Sequence, residues 1–350
     1  MERCPPEILS QIFSRACTDG GYTGRSLSAV SKYIHNTSKP YKYKSIGLHG
    51  VRKTSAFATL LGEISPDIPN GITHLFVSNN HESSAVEAHS EPPRTASLAA
   101  SLRRHASSVS GLMLGSKRRR RRQKSEADIR RDMGNIEAIL KVLRVVAPTL
   151  QTLTICFISK SHTLPFSDSA TPNAPFPRLP ALSELTLSYQ APVDGGFNYH
   201  FFCSSASAAS FPSLKRLDIS AQSMSHHLPQ TLYYHIATIA PSLTHLCLPS
   251  HMSLELRGAL FDGDDEYKLP PALRRICILL DVRHHFSLGS DQSNCFHCQI
   301  MSLATMDHRI IILDGEISYE DATGDKRRET LIDEWHERMN GSEVFWEAGE

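Results

Sequence analysis

The sequence of 350 residues lacks any apolar run close to the ~20 residues that a membrane-spanning helix needs. It also lacks an excess of one charge, with 37 Lys and Arg against 36 Asp and Glu. This balance excludes a uniformly basic nucleic-acid binder and an acidic, wholly disordered chain. Residues 1–20 mix charged residues and prolines among the apolar ones, so no signal peptide is predicted. We therefore expect a soluble intracellular protein, cytoplasmic, nuclear or both, without membrane contact.

Cysteine is too sparse for a disulfide-stapled domain, because the eight cysteines are scattered through a long chain. One cluster, Cys295-Phe296-His297-Cys298, has spacing typical of a metal or redox site. A structural zinc site needs four ligands, however, and a second pair at matching spacing is missing. The sequence also lacks a phosphate-binding glycine loop, a nucleophile elbow and an H-E-x-x-H helix. We therefore predict no metal, no cofactor and no enzymatic activity.

A repeat between residues 68 and 280 is the strongest pattern that is present. Its signature is L-x-x-L-x-L with aliphatic substitution, and most copies have Pro two residues before the first aliphatic. The copies begin at Ile72, Leu150, Leu182, Leu214, Leu243 and Leu273. The last five follow each other at intervals of 32, 32, 29 and 30 residues, which gives a period of about 30.

Such a repeat predicts a stack of short parallel strands whose alternate aliphatics point into the core. The apolar residues of Asn135–Ala147 and Thr231–Ala240 recur with helical periodicity, which predicts helices between the strands. We therefore expect an α/β fold in which strand–helix units form an irregular, leucine-rich-repeat-like solenoid over residues 49–313. The solenoid is irregular because the asparagine that usually follows the motif occurs only once, as Asn80.

The long interval between the first two copies holds an insertion, residues 81–128, that is rich in Ser, Ala, His and charge and is expected to be disordered. Its cations form a run typical of a nuclear import signal: Lys117, Arg118, Arg119, Arg120, Arg121, Arg122 and Lys124. The same run could contact phosphates of a nucleic acid or be a solvated linker without a partner. Nucleic-acid binding is the least favoured of the three, because no aromatic residues are interleaved with the cations.

Residues 1–48 are predicted to form a small helical module. Apolar positions 8, 9, 12, 13 and 16 share one face of a helix that starts at Pro5 and Pro6. Gly20 and Gly21 end this helix, and a second helix is predicted over Ser26–Asn36 with Ser26 as its N-cap. The alternating segment Tyr41–Leu48 closes the module.

The C-terminal stretch, residues 314–350, is acidic with a net charge of −8. A buried strand is expected just before it, over Arg309–Gly315. Leu331, Ile332, Trp335 and Met339 share one helical face, and Phe345-Trp346 follow. Both tryptophans therefore lie near the C-terminus, and we expect this aromatic segment to cap the open end of the solenoid.

The N-terminal module resembles an F-box. The residues that carry the likeness are Pro5-Pro6-Glu7-Ile8-Leu9, Ile12-Phe13, the segment from Thr18 to Ile34 and Pro40, with Cys4 where the family usually has Leu. The whole chain is similar to F-box-like proteins that are abundant in mushroom-forming fungi. Their tail pattern is matched by Trp335-His336-Glu337-Arg338-Met339-Asn340-Gly341 and Phe345-Trp346.

The resemblance implies a substrate receptor of a cullin–RING ubiquitin ligase, which docks on a Skp-type adaptor, and through it on a cullin, and holds a protein substrate on its repeats. The implied adaptor contacts are Pro5, Pro6, Ile8, Leu9, Ile12 and Phe13, with support from Val30 and Ile34. These side chains could instead pack only inside the protein. The alternative function is a nuclear scaffold that uses the basic insertion and the repeat surface, without a ligase role.

Overall fold

The computed structural model describes residues 4–63, 71–79, 131–158, 176–190, 210–221, 228–261, 269–281, 296–315 and 325–339. The described chain is an α/β fold built on a single open sheet of eight parallel strands. The order of the strands in space is their order in the sequence. Parallel strands added one after another along the chain confirm the α/β architecture predicted from the repeat.

The strands are short and regularly placed. They are β1 (Ser45–His49), β2 (His74–Ser78), β3 (Thr152–Ile158), β4 (Glu184–Gln190), β5 (Arg216–Ala221), β6 (His245–Pro249), β7 (Arg275–Asp281) and β8 (Ile310–Gly315).

The helices of the described residues precede the sheet, connect its strands or follow it. They are α1 (Pro6–Ala16), α2 (Tyr22–Leu27), α3 (Lys32–Ser38), α4 (Val51–Glu63), α5 (described over 131–146), α6 (Leu228–Ile239), α7 (Ser253–Phe261), α8 (Phe296–Met306) and α9 (Asp325–Met339). The helices predicted around residues 135–147 and 231–240 are thus confirmed as α5 and α6. Among these helices, none has the length and hydropathy to cross a lipid bilayer.

The register of the sheet follows the repeat. The second aliphatic of each copy lies beside that of the next, as Leu75, Leu153 and Leu185 do in β2, β3 and β4. The series continues through Leu217, Leu246 and Ile276. All of these side chains are buried and belong to one continuous core between the sheet and its helices. Alternation along each strand places the intervening residues on the opposite face of the sheet, called the second face below.

The sheet extends one strand beyond the repeat at each end. β1 places Ile46 and Leu48 beside Leu75 and Val77 of β2, so the sheet begins inside the segment 1–48 that the sequence assigns to the N-terminal module. At the other end, β8 pairs with β7 and confirms the strand predicted over Arg309–Gly315.

The N-terminal module contains two short helices where the sequence predicts one. The helix expected over Ser26–Asn36 is wrong: α2 ends at Leu27 and α3 starts at Lys32. Ser31 separates them because its backbone is extended and its hydroxyl accepts a hydrogen bond from the Ile34 amide at 3.2 Å. The N-cap is therefore Ser31 rather than Ser26, whose hydroxyl donates to the Tyr22 carbonyl inside α2.

The C-terminal helix packs near the first strands of the sheet rather than at its last strand, where the sequence places the aromatic cap. α9 lies on the second face of β2 and β3. Trp335 is 1% exposed and its ring centre lies 5.6 Å from that of Phe76 in β2. The physical reason is that Phe76, Cys156 and Ile158 form an apolar patch on this face, which needs cover. Phe345 and Trp346 lie outside the described residues.

One asparagine joins the ends of β2 and β3. The Asn79 side chain donates to the Ile158 carbonyl at 2.8 Å and accepts from the Ile158 amide at 2.7 Å. The sequence points to its neighbour Asn80, which lies outside the described residues. The two hydrogen bonds extend the pairing of β2 and β3 by one residue beyond the end of β2. They also satisfy the polar atoms of the Asn79 side chain, which is buried.

Candidate docking surface

The apolar arc of α1 is divided between the protein interior and solvent. Leu9 and Phe13, each 5% exposed, pack with Ile34 of α3, and these three residues form the small core of the module. Leu27, Tyr41 and Cys4 flank this core. Cys4 therefore contributes apolar packing to this small core.

The other half of the arc faces solvent. Ile8 and Ile12 are one helical turn apart and are 46% and 51% exposed. Pro5 and Pro6 at the start of α1 are also exposed, and Val30, between α2 and α3, is 62% exposed. We call Pro5, Pro6, Ile8, Ile12 and Val30 the N-terminal apolar surface.

The eight adaptor-contact residues expected from the sequence thus fall into two groups. Five form the N-terminal apolar surface, whereas Leu9, Phe13 and Ile34 lie beneath it in the core of the module. The buried three would support a partner surface without touching the partner. Sequence reasoning missed two exposed aromatics of the same module, Tyr22 at 68% and Tyr33 at 41% exposure.

The helices that present this surface are held by short polar contacts. Asp19 accepts hydrogen bonds from the backbone and the hydroxyl of Thr23 at the start of α2, the former at 2.8 Å. Gly20 and Gly21 have φ of 72° and 93°, as expected for the turn after α1. A Cβ on Gly24 would lie 2.5 Å from the Lys42 carbonyl oxygen, so only glycine permits this approach.

The module is fixed to the sheet through β1. The Gly20 amide donates to the Ser45 hydroxyl at 3.0 Å, and the Gly47 amide donates to the Gly20 carbonyl at 3.3 Å. The Lys44 ammonium, just before β1, donates to the carbonyl of Ser14 in α1 at 2.8 Å. A partner bound to α1 would therefore be held in a defined orientation relative to the sheet.

The other sequence-based site predictions receive little structural description. The import-like run, Lys117 to Arg122 and Lys124, lies outside the described residues, as does Cys295. Cys298 is described and exposed. Within the described ranges, no group of three or more His, Cys, Asp and Glu side chains is arranged to hold a metal ion.

Two buried cysteines have thiol pKa values above the ordinary value. Burial raises the pKa of Cys17 and that of Cys277, and nearby carboxylates (Asp19 and Asp218, respectively) raise them further. Lys44 and Arg275 partly offset these increases. Because the thiolate is the reactive form, these two side chains are suited to packing rather than to nucleophilic chemistry.

No protein-family model, curated protein or solved structure matches this chain.

Proposed function

We propose that this chain is a non-catalytic receptor subunit of a cullin–RING ubiquitin ligase. Its N-terminal apolar surface docks on a Skp-type adaptor, and its strand–helix body holds a protein substrate. The observation that carries the proposal is the exposure of Ile8, Ile12 and Val30 on a module whose own core already contains Leu9, Phe13 and Ile34. A few apolar anchors of this kind supply most of the affinity at a protein interface.

The architecture suits a two-ended receptor. The module is hydrogen-bonded to β1, and seven further strands extend from it in one direction. An adaptor on α1 and a substrate on a later strand would therefore be held apart by one continuous sheet. Ubiquitin transfer would be performed by other subunits, so the proposal requires no catalytic residue in this chain.

Co-purification with a purified Skp-type adaptor at moderate salt tests the docking surface. The double variant Ile8→Asp/Ile12→Asp should lose the adaptor, because a carboxylate buried in an apolar interface is costly. Both positions are about half exposed, so the fold should be retained, as far-UV circular dichroism would show. The matched control is Met301→Asp/Met306→Asp in α8, where the side chains are 45% and 54% exposed. It should bind the adaptor like the wild type.

The outcome against the proposal is equally definite. If the folded wild type fails to retain the adaptor, or if the α1 and α8 variants behave alike, the N-terminal module is a structural cap of the sheet. The ligase role is then withdrawn, and the nuclear scaffold that the basic run of residues 117–124 favours takes its place.

A further inference from the structure

The strands of the sheet all begin along one edge, and a backbone ladder fixes which residues lie there. The amide of Lys215 donates to the Ser183 carbonyl, that of Thr244 to the Lys215 carbonyl, and that of Arg274 to the Thr244 carbonyl, each at 2.9 Å. Lys215, Thr244 and Arg274 immediately precede β5, β6 and β7, respectively. Lys215 and Arg274 thus stand on either side of Thr244, and both side chains are exposed.

The next residue of each strand adds charge at the same edge. Arg216, His245 and Arg275 lie side by side in the register of β5, β6 and β7 and are half-buried. Together with Lys215 and Arg274 they form what we call the basic edge. The corresponding positions before β2, β3 and β4 are the uncharged Thr73, Gln151 and Ser183. The cations at the two ends of this edge are already bonded, since Lys44 before β1 donates to the Ser14 carbonyl at 2.8 Å and Arg309 before β8 is paired with Asp307 at 2.6 Å.

The charges of the basic edge act on one another. Burial lowers the pKa of His245, and the positive charges of Arg216, Arg275 and Arg274 lower it further. Arg216 is paired with Glu184 at 3.0 Å. Lys215 and Arg274 form no ion pair with any residue in the described ranges, so their charges face solvent.

The C-terminal helix limits where a partner can bind on this side of the sheet. Side chains of α9 cover Phe76 and Cys156 on the second face of β2 and β3. Towards the later strands, the Arg338 guanidinium donates to the Thr186 hydroxyl of β4 at 2.7 Å. Arg216, His245 and Arg275 belong to the same second face, one or more strands beyond that contact.

We propose that the basic edge binds an acidic, extended segment of the protein substrate, an inference that rests on the proposed receptor function. Lys215 and Arg274 are two strands apart, which corresponds to about 9.6 Å at the usual strand spacing. Side chains three residues apart on a polyproline II segment point the same way and are separated by about 9.3 Å. The geometry therefore favours Glu or Asp at every third position, with one carboxylate at Lys215 and the next at Arg274.

Fluorescence anisotropy of a labelled peptide with Glu at every third position, and of the same peptide with Gln, tests this site on the full chain. All seven cations of the run from Lys117 to Lys124 are changed to Ser in every protein that is compared, because that run would attract any polyanion. Lys215→Glu/Arg274→Glu should weaken binding of the Glu peptide roughly tenfold, since two charge reversals together amount to about 1.4 kcal/mol. Lys39→Glu/Arg52→Glu, an equal charge change at two exposed positions near the N-terminus, should not.

Three results would overturn the proposal: equal affinity for the Glu and Gln peptides, equal weakening by both double variants, or absence of binding to the folded wild type. Single-stranded DNA that binds as tightly as the Glu peptide and is lost in the same variant would identify a nucleic-acid site instead. Adaptor capture by Lys215→Glu/Arg274→Glu separates this inference from the receptor function. If capture fails in the wild type while the peptide binds, the receptor function is wrong and the basic edge stands.

Discussion

Neighbouring residues of α1 serve different purposes although they have similar side chains. Leu9 is 5% exposed in the core of the module, whereas Ile8 is 46% exposed. Both fit the apolar arc of one helix, so their difference depends on the direction from which α3 approaches α1. That approach is fixed by Ile34 and by contacts outside the helix, such as Lys44 to Ser14. The sequence therefore predicts the apolar arc, but it does not predict which of its residues are buried in the core and which remain exposed for a partner.

A single imidazole in β2 should make the stability of the fold dependent on pH. Burial, followed by the nearby Lys44, lowers the pKa of His74 from 6.5 to about 4. The unfolded chain takes up this proton below pH 6.5, whereas the folded chain does so only near pH 4. The stability that His74 contributes is therefore complete above pH 6.5 and is lost as the pH falls to about 4, by up to about 3 kcal/mol.

Urea unfolding from pH 7.5 to pH 4, compared between wild type and His74→Asn, measures this contribution. The asparagine amide can replace the Nδ1 contact to the Thr152 hydroxyl, which is 3.2 Å long, but does not titrate. The free energy of unfolding of the variant should fall less steeply with decreasing pH. Parallel profiles for the two proteins would show that His74 is not the titrating group.

At the scale of the element, the repeat identifies a strand only where all three aliphatic positions are filled. In β1 the first position is Tyr43, and in β8 it is Asp307, so neither copy matches the signature. Tyr43 still packs against the core. Asp307 is bonded to Arg309 at 2.6 Å, and the pKa of its carboxyl is lowered chiefly by that hydrogen bond. Both ends of the sheet therefore escape the pattern because their first residue is not aliphatic, although the Tyr43 ring fills the same place in the core.

The start of α3 depends on its N-cap residue, Ser31. Ser31→Ala removes the hydroxyl that accepts from the Ile34 amide, and should lower the free energy of unfolding by about 1 kcal/mol. Ser26→Ala is the matched control, because the Ser26 hydroxyl is exposed and only donates to a carbonyl of its own helix. Urea titration followed by circular dichroism distinguishes them. A larger effect at Ser26 would restore the single helix that the sequence predicts over residues 26–36.

At the scale of the whole molecule, the C-terminal helix makes this fold different from a simple stack. In a simple stack each repeat contacts only its neighbours, and the last ones open most readily. Here α9 follows β8 in the sequence but packs on β2 and β3, and Arg338 bonds to Thr186 across a separation of 152 residues. The strand order could be predicted from the repeat. The return of α9 could not, because no periodicity relates Trp335 to Phe76.

This return should couple the two ends of the chain. Trp335→Ala removes the largest side chain that is fully buried among the described residues, and should destabilise the fold by about 3–5 kcal/mol. It leaves the helix-side core between Leu185 and Ile276 untouched. We therefore expect the amides of α9, β2 and β3 to lose protection from hydrogen exchange first, while those of β5 to β7 retain theirs.

Hydrogen exchange followed by mass spectrometry checks this order, with Glu337→Ala as the control because its exposed side chain lies in the same helix. The control should exchange like the wild type. If Trp335→Ala instead exposes β5 to β7 together with α9, the sheet unfolds as one unit and α9 is part of its core. If it leaves the exchange of α9 unchanged, the helix is held by Leu331 and Arg338 rather than by the tryptophan. The expected result would show that α9 can detach from β2 and β3 while β5 to β7, the strands that carry the basic edge, remain folded.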